Sequence, residues 1–269
     1  IGNKMIRPTT VPQSLEELII EQAIAREALR LSFIQHKSFA VSLKGVQSQR
    51  TISDAFDQSG SGETLVDMME LDLLVGSGGV LSHAPRREQA MRMMIDAFVP
   101  EGITQLAVDS IFMMPQLGVM ANIEQADMAE DARKAAVEVF EKDCLIRLGT
   151  CIAPVGKPAK SGTVILTAEF DLPGEGKQVI ELKQGEIIVI PAPYEPISAK
   201  LTPSKTMSIG KDKGESHQTD IYGGTVGLIF DGRGRPFELS TEKSKRIENL
   251  NKWSKATNEY PDTELLGGA

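Results

Sequence analysis

Leu71-Asp72-Leu73-Leu74-Val75-Gly76-Ser77-Gly78-Gly79-Val80-Leu81-Ser82-His83-Ala84-Pro85 is the stretch on which the reading of this chain turns. It opens as a short apolar run, the pattern of a strand covered on both faces. It then breaks into Gly76, Gly78 and Gly79. A helical pattern follows, with Ala90, Met91, Met94, Ile95 and Phe98 on one side. Pro85 suits the first turn of that helix, where a missing N–H is not needed. The unit is strand, glycine turn, helix. Glycine admits positive φ and close approach of a ligand to the main chain, and N–H groups at a helix start favour an anion such as phosphate. A tight turn with no ligand is the competing reading, because a lone glycine motif is weak. The turn is not a P-loop, since no Gly-Lys-Ser/Thr follows. Nor is it a full G-x-G-x-x-G, since Leu81 stands at the third glycine.

The chain has 269 residues, enough for a substantial core and two domains. Hydrophobic residues make up 41% and charged residues 25%, the balance of a soluble globular protein. A net charge of −8 argues against non-specific nucleic-acid binding. No run of 18 apolar residues exists, so no membrane span is expected. Cys144 and Cys151 fit no zinc spacing. They read as buried free thiols of a reduced, cytoplasmic protein, with a disulfide between neighbouring strands as the alternative. The chain opens at Ile1 without Met or a signal peptide, which points to a fragment or processed product.

Upstream of the turn, Ser14-Leu15-Glu16-Glu17 is a capping box opening a helix to about Gln35, with Leu15, Leu18, Ile19, Ala23 and Leu29 as its apolar stripe. His36 reads as a surface residue. Phe39 to Leu43 alternates like a strand, and Ser59-Gly60-Ser61-Gly62 reads as a surface loop. Downstream, Thr104 to Val108 reads as a second strand. Asp109 to Met120 follows as a loop and short helix, with Met113, Met114 and Met120 filling core. Residues 126–142 form an amphipathic helix with Val137 and Phe140 inside. Past Cys144 the pattern becomes short strands punctuated by Gly and Pro: 145–149, 162–170, 178–182, 186–190, 197–201 and 219–230. Asp231-Gly232-Arg233-Gly234 reads as a hairpin turn whose arginines are solvated or meet a phosphate or carboxylate. Residues 241–256 form a polar helix around Trp253, and the last dozen a frayed tail.

Leu73-Leu74-Val75-Gly76-Ser77-Gly78-Gly79 resembles the adenosine and second-phosphate motif of the actin-like ATPase superfamily. More specifically, three features resemble the MutL-like accessory protein of coenzyme-B12-dependent glutamate mutase. They are Arg7-Pro8-Thr9-Thr10 with its capped helix, Gly76 to His83, and Asp109-Ser110 to Leu117-Gly118. The likeness covers about residues 1–122 and matches the C-terminal portion of such a protein. It implies an α/β actin-like (ribonuclease H-like) half-domain over 1–142, then a mainly-β sandwich or barrel domain over 143–240, then the polar helix and tail over 241–269. It further implies an ATP-dependent reactivating chaperone for an adenosylcobalamin-dependent mutase. Gly76, Ser77, Gly78 and Gly79 would line the adenosine and phosphate side, and Asp109 would stand at the superfamily's closing acidic position. The superfamily's Asp-x-Gly-Thr hairpin and water-positioning acid are missing from these residues and are expected upstream of Ile1. By this likeness the chain holds half of a site for ATP and Mg, and is not expected to hydrolyse ATP unaided. Its implied partners are a mutase subunit and the upstream half of the same gene product. The rival reading is a non-catalytic structural or assembly protein of actin-like fold, a homo-oligomer whose β domain is an interaction module. A dinucleotide-binding domain is disfavoured, since no acidic residue ends a strand about 20 residues on.

Overall fold

A computed structural model describes residues 2, 6, 7, 9–40, 65–122, 129–157, 159–210 and 212–261. The expected loop at Ser59–Gly62, residues 41–43 of the expected strand Phe39–Leu43, the first residues of the 126–142 helix and the end of the tail lie outside the described residues.

The capping signal opens helix α1, Leu15–Phe39. Ser14 Oγ accepts from the Glu17 N–H at 3.2 Å, while Glu17 Oε2 reaches the N–H of Gln13 rather than that of Ser14. The helix continues past Gln35 because no breaker stops it, and it takes in Phe39, which the alternation had placed at the start of a strand. Its inner face is Leu18, Ile19, Gln22, Ala25, Arg26, Leu29 and Phe33, with Leu15 and Ala23 outside. The glycine stretch forms strand β1, Leu73–Gly76, and a four-residue helical turn α2, Gly79–Ser82. The long helix α3 begins only at Arg87 and ends at Phe98, so Pro85 precedes it instead of lying in its first turn.

Strand β2, Gly102–Asp109, pairs in parallel with β1. Helices α4, Met114–Ala121, and α5, Ala129–Val139, follow; a π turn at Phe140–Cys144 leads into β3, Leu145–Ala153. Val137 is exposed, and α5 instead turns Ala132 and Ala136 inward. The methionines divide similarly. Met113 packs against Leu117, Ala136 and Cys144, while Met114 and Met120 are exposed.

The remaining strands are β4, Val155–Gly156; β5, Val164–Leu172; β6, Gly176–Lys183; β7, Ile187–Ile190; β8, Pro196–Pro203; β9, Met207–Ser208; β10, His217–Tyr222; and β11, Gly227–Asp231, before helix α6, Lys243–Thr257. The main sheet has the order β1-β2-β3-β11-β7, and a second has the order β10-β8-β5-β6. The change of pattern near residue 143 does not coincide with a sheet edge. β3 pairs antiparallel with β2 over Gly102–Asp109, and β11 pairs in parallel with β3. The single strand expected over 219–230 is two strands in different sheets, separated at Gly223–Val226.

One main-sheet face packs Leu148, Cys151 and Ile229 against Met91, Met94 and Ile95 of α3 and Trp253 of α6. The other packs Ile152, Leu228 and Phe230 against Phe170, Ala199 and Leu201 of the second sheet. Both faces are covered, so β11 is buried at every position and reads as a continuous apolar run. Gly149 sits at φ +142 where β3 begins to pair with β11, in register with Gly227, and a Cβ there would lie 1.7 Å from the Gly227 carbonyl oxygen.

Candidate functional site

The glycine turn lies where β1 and β2 end side by side, with Gly76 in register with Val108. Its glycines do different things. A Cβ on Gly76 would come 3.0 Å from Leu81 Cδ1 and Met94 Sδ, so the strand needs glycine there to pack on α3. Gly78 has φ +105, a conformation that L side chains rarely adopt, and a Cβ on it would meet nothing within 4 Å. Gly79 likewise faces open space. Gly79 is exposed and Gly78 half-buried, so among the described residues nothing blocks approach from the side where a Cβ would stand.

Asp109 is fully buried, and its carboxylate is engaged by the backbone that follows it. Oδ1 accepts from the N–H groups of Ile111 and Met113 at 3.4 and 3.3 Å, and Oδ2 from Met114 at 3.1 Å. Ser77 Oγ lies 3.5 Å from Oδ2, and Ser82 Oγ donates to the Asp109 carbonyl. Asp109 thus ties the β1 turn to the entry of α4. This holds both loops in place and leaves its carboxylate little capacity to meet a ligand directly. At the rim, His83 and Phe112 rings lie 5.7 Å apart, and Phe112 has φ +60.

A cleft of about 730 Å³ adjoins the turn. Thr9, Thr10 and Leu18 form one wall, and Gly79, Val80 and His83 the other. The two stretches that carry the resemblance upstream and at the glycines therefore meet across one depression. A larger depression of about 910 Å³ lies over Glu130, Arg133, Lys134, Glu138 and Lys142 of the α5 region. Its wall is a charged helix face, and its lining includes none of the glycine-turn residues.

The main correction concerns Asp231-Gly232-Arg233-Gly234. It is not a hairpin turn and its arginines are not solvated; of the alternatives read from the sequence, contact with carboxylates is the one that holds. β11 leaves the sheet there, and Asp231, Arg233 and Arg235 are buried. Asp231 accepts from Arg233 Nε and Nη2, both at 2.8 Å, and from Arg235 Nη2 at 3.0 Å. Arg233 Nη1 also donates to Asp96 Oδ1 at 2.6 Å, and Arg92 Nε to Asp96 Oδ2 at 2.9 Å. Arg26 of α1 reaches Asp96 at 3.4 Å and Glu259 at 3.5 Å. The Arg233 guanidinium lies 4.4 Å from the Phe237 ring centroid and 5.3 Å from that of Trp253. Burial alone would raise the pKa of Asp96 and Asp231, but the surrounding guanidiniums hold both well below the usual carboxylate range. The sequence signal for Asp96 was Arg92 four residues before it, the two charges standing among Met91, Met93, Met94, Ile95 and Ala97. A buried charge at that position needs a partner.

Both cysteines are free and buried. They contribute to core, and burial pushes the Cys151 thiol up to about 12. No helix among the described residues is long and apolar enough to cross a membrane.

Residues 1–143 match the family model described as MutL protein. The chain belongs to that family. The match ends where α5 gives way to β3, so it spans the glycine turn, the Thr9-Thr10 wall of the cleft and Asp109. Comparison with curated proteins and with solved structures gives no match.

Proposed function

We propose that this MutL-family chain is the nucleotide-binding part of an ATP-dependent reactivating chaperone for a coenzyme-B12-dependent mutase. In this reading it works in the cytoplasm on an adenosylcobalamin-dependent mutase subunit and releases damaged cofactor by coupling nucleotide state to domain movement. The observation that carries the nucleotide part is Gly78. Its φ is +105, it is half-buried, and an added Cβ would meet nothing within 4 Å among the described residues, at the end of a parallel strand pair. A phosphate can approach there as closely as backbone allows. Gly76, Ser77, Gly78 and Gly79 line that side, and Asp109 acts by fixing the two loops. The adenosine moiety would lie against the actin-like half-domain, and Mg²⁺ would accompany the phosphates. No group of three metal-ligating side chains lies together among the described residues.

The test is calorimetric titration of the full-length gene product with ATP. A micromolar dissociation constant is expected, about −8 kcal/mol. Gly78→Val should abolish binding, because valine neither adopts that φ nor leaves the space empty. Undiminished ATP binding by a folded Gly78→Val variant would end this reading.

A further inference from the structure

Phe112 has φ +60, in the left-handed region, where a bulky side chain is a backbone outlier. Such strain persists only where the surroundings hold it, and it gathers at ligand clamps. Here the holder is Asp109. Its carboxylate accepts from the N–H groups of Ile111, Met113 and Met114, which bracket Phe112, and Ser77 Oγ lies 3.5 Å from the same carboxylate. The loop that carries the ring is thereby fixed to the glycine turn. Core filling does not explain the strain. Met113, the next residue, is the one that turns inward, onto Leu117, Ala136 and Cys144. Among the described residues Phe112 is left 36% exposed, and Ile111 and Met114 beside it 55% and 40%.

His83, the residue that follows α2, lines the cleft together with Gly79, and its ring lies 5.7 Å from that of Phe112 at an angle of 55°. At that tilt the two rings brace each other, and neither covers the other as a parallel ring would. A flat apolar ring, held at a set place beside a turn that admits phosphate, suits a ligand with an anion at one end and an aromatic ring at the other. A nucleotide has that form. We propose that Phe112, braced by His83, is the platform on which the nucleobase stacks while the phosphates approach Gly78. The proposal rests on the nucleotide reading above and adds to it the residue that holds the base. Stacking needs a π face and no particular hydrogen bonds, so the platform favours a base over a bare polyphosphate without favouring one base over another. Asp109 then serves both ends of the ligand, because one carboxylate fixes the glycine turn and the base platform together.

Calorimetric titration of the full-length gene product with ATP and, separately, with inorganic triphosphate tests the platform, with Mg²⁺ present in both. Phe112→Ala is expected to weaken ATP binding by roughly tenfold or more and to leave triphosphate binding as it was. Gly78→Val should by contrast lose both ligands. Phe112→Asn removes the ring but accepts the left-handed backbone, so it should keep the wild-type circular dichroism melt and lose ATP affinity as Phe112→Ala does. Phe112→Trp should keep ATP affinity, and its added emission should change with ATP and not with triphosphate. Unchanged ATP affinity in a folded Phe112→Asn variant would overturn the platform. An equal loss of ATP and triphosphate would do the same, since the ring would then act through the loop and not on the base. Wild-type protein that binds neither ligand would sink the nucleotide reading itself, and the platform with it; wild-type binding untouched by the Phe112 variants sinks the platform alone.

Discussion

Two glycine-punctuated turns follow strands of the same sheet, one after Gly76 and one after Asp231, and they have opposite fates. The first carries no charge, and among the described residues nothing stands within 4 Å of where a Cβ on Gly78 or Gly79 would lie. The second alternates glycine with arginine, and its arginines fold back onto Asp231 and Asp96. The difference is position in the sheet. β1 is an edge strand, so its turn opens at the border of the molecule. β11 is flanked by β3 and β7, so its turn emerges under α3 and α6. Glycine gives both turns their backbone freedom. Cover decides whether that freedom leaves a surface or is filled.

The contrast can be broken most forcefully from the covered side. Asp231→Asn leaves two buried guanidiniums short of a carboxylate, and a loss of about 3–5 kcal/mol in urea unfolding is expected. A change below about 1 kcal/mol would mean that the network contributes little beyond its own desolvation. At the open turn, Gly78→Ala should cost about 1–2 kcal/mol, through φ alone and with no steric part. Acid titration sharpens the comparison. Asp96 and Asp231 are held below the unfolded carboxylate value of about 3.9. Their stabilisation is therefore present above that value and is lost as pH falls through the lower folded values. Unfolding midpoints followed from neutral pH to below pH ~4 should fall in the wild type and less steeply in Asp231→Asn. The smallest effect belongs to the exposed Lys142–Glu138 pair at 2.6 Å, where Lys142→Ala should change stability by under about 0.5 kcal/mol. Thiol titration gives a separate check on the core: Cys144 and Cys151 should react with an aromatic disulfide only after unfolding.

The elements whose patterns are local were legible in the sequence. Ser14 and Glu17 marked the start of α1, the glycines ended β1, and period-two alternation gave a strand over 162–170, which the fold has shifted by two residues as β5, Val164–Leu172. The errors occur where partners are distant in sequence. α3 reads as one-sided from Ala90, Met91, Met94, Ile95 and Phe98, and Arg92 and Asp96 were not singled out. In the fold they are buried, because Arg233, more than 130 residues later, arrives to pair with Asp96. Val137 reads as inward, yet the two alanines beside it allow closer packing. At the site itself, the glycines and Asp109 were named from sequence. The use of the Asp109 carboxylate by the Ile111, Met113 and Met114 amides was not, since it depends on how the loop bends.

The residues just past α6 return to the first helix. Tyr260 bonds to Gln22, the Glu259 carbonyl accepts from Gln89 at 3.0 Å, and its carboxylate faces Arg26. Contacts bridging 238 positions close late in folding, since a long loop must be ordered before they form. During synthesis α1 would leave the ribosome long before its clasp exists, and would dock firmly only once residue 260 has emerged. The cleft beside Thr9 and Gly79, which has α1 as one wall, would then take its final shape after nearly the whole described chain has been translated.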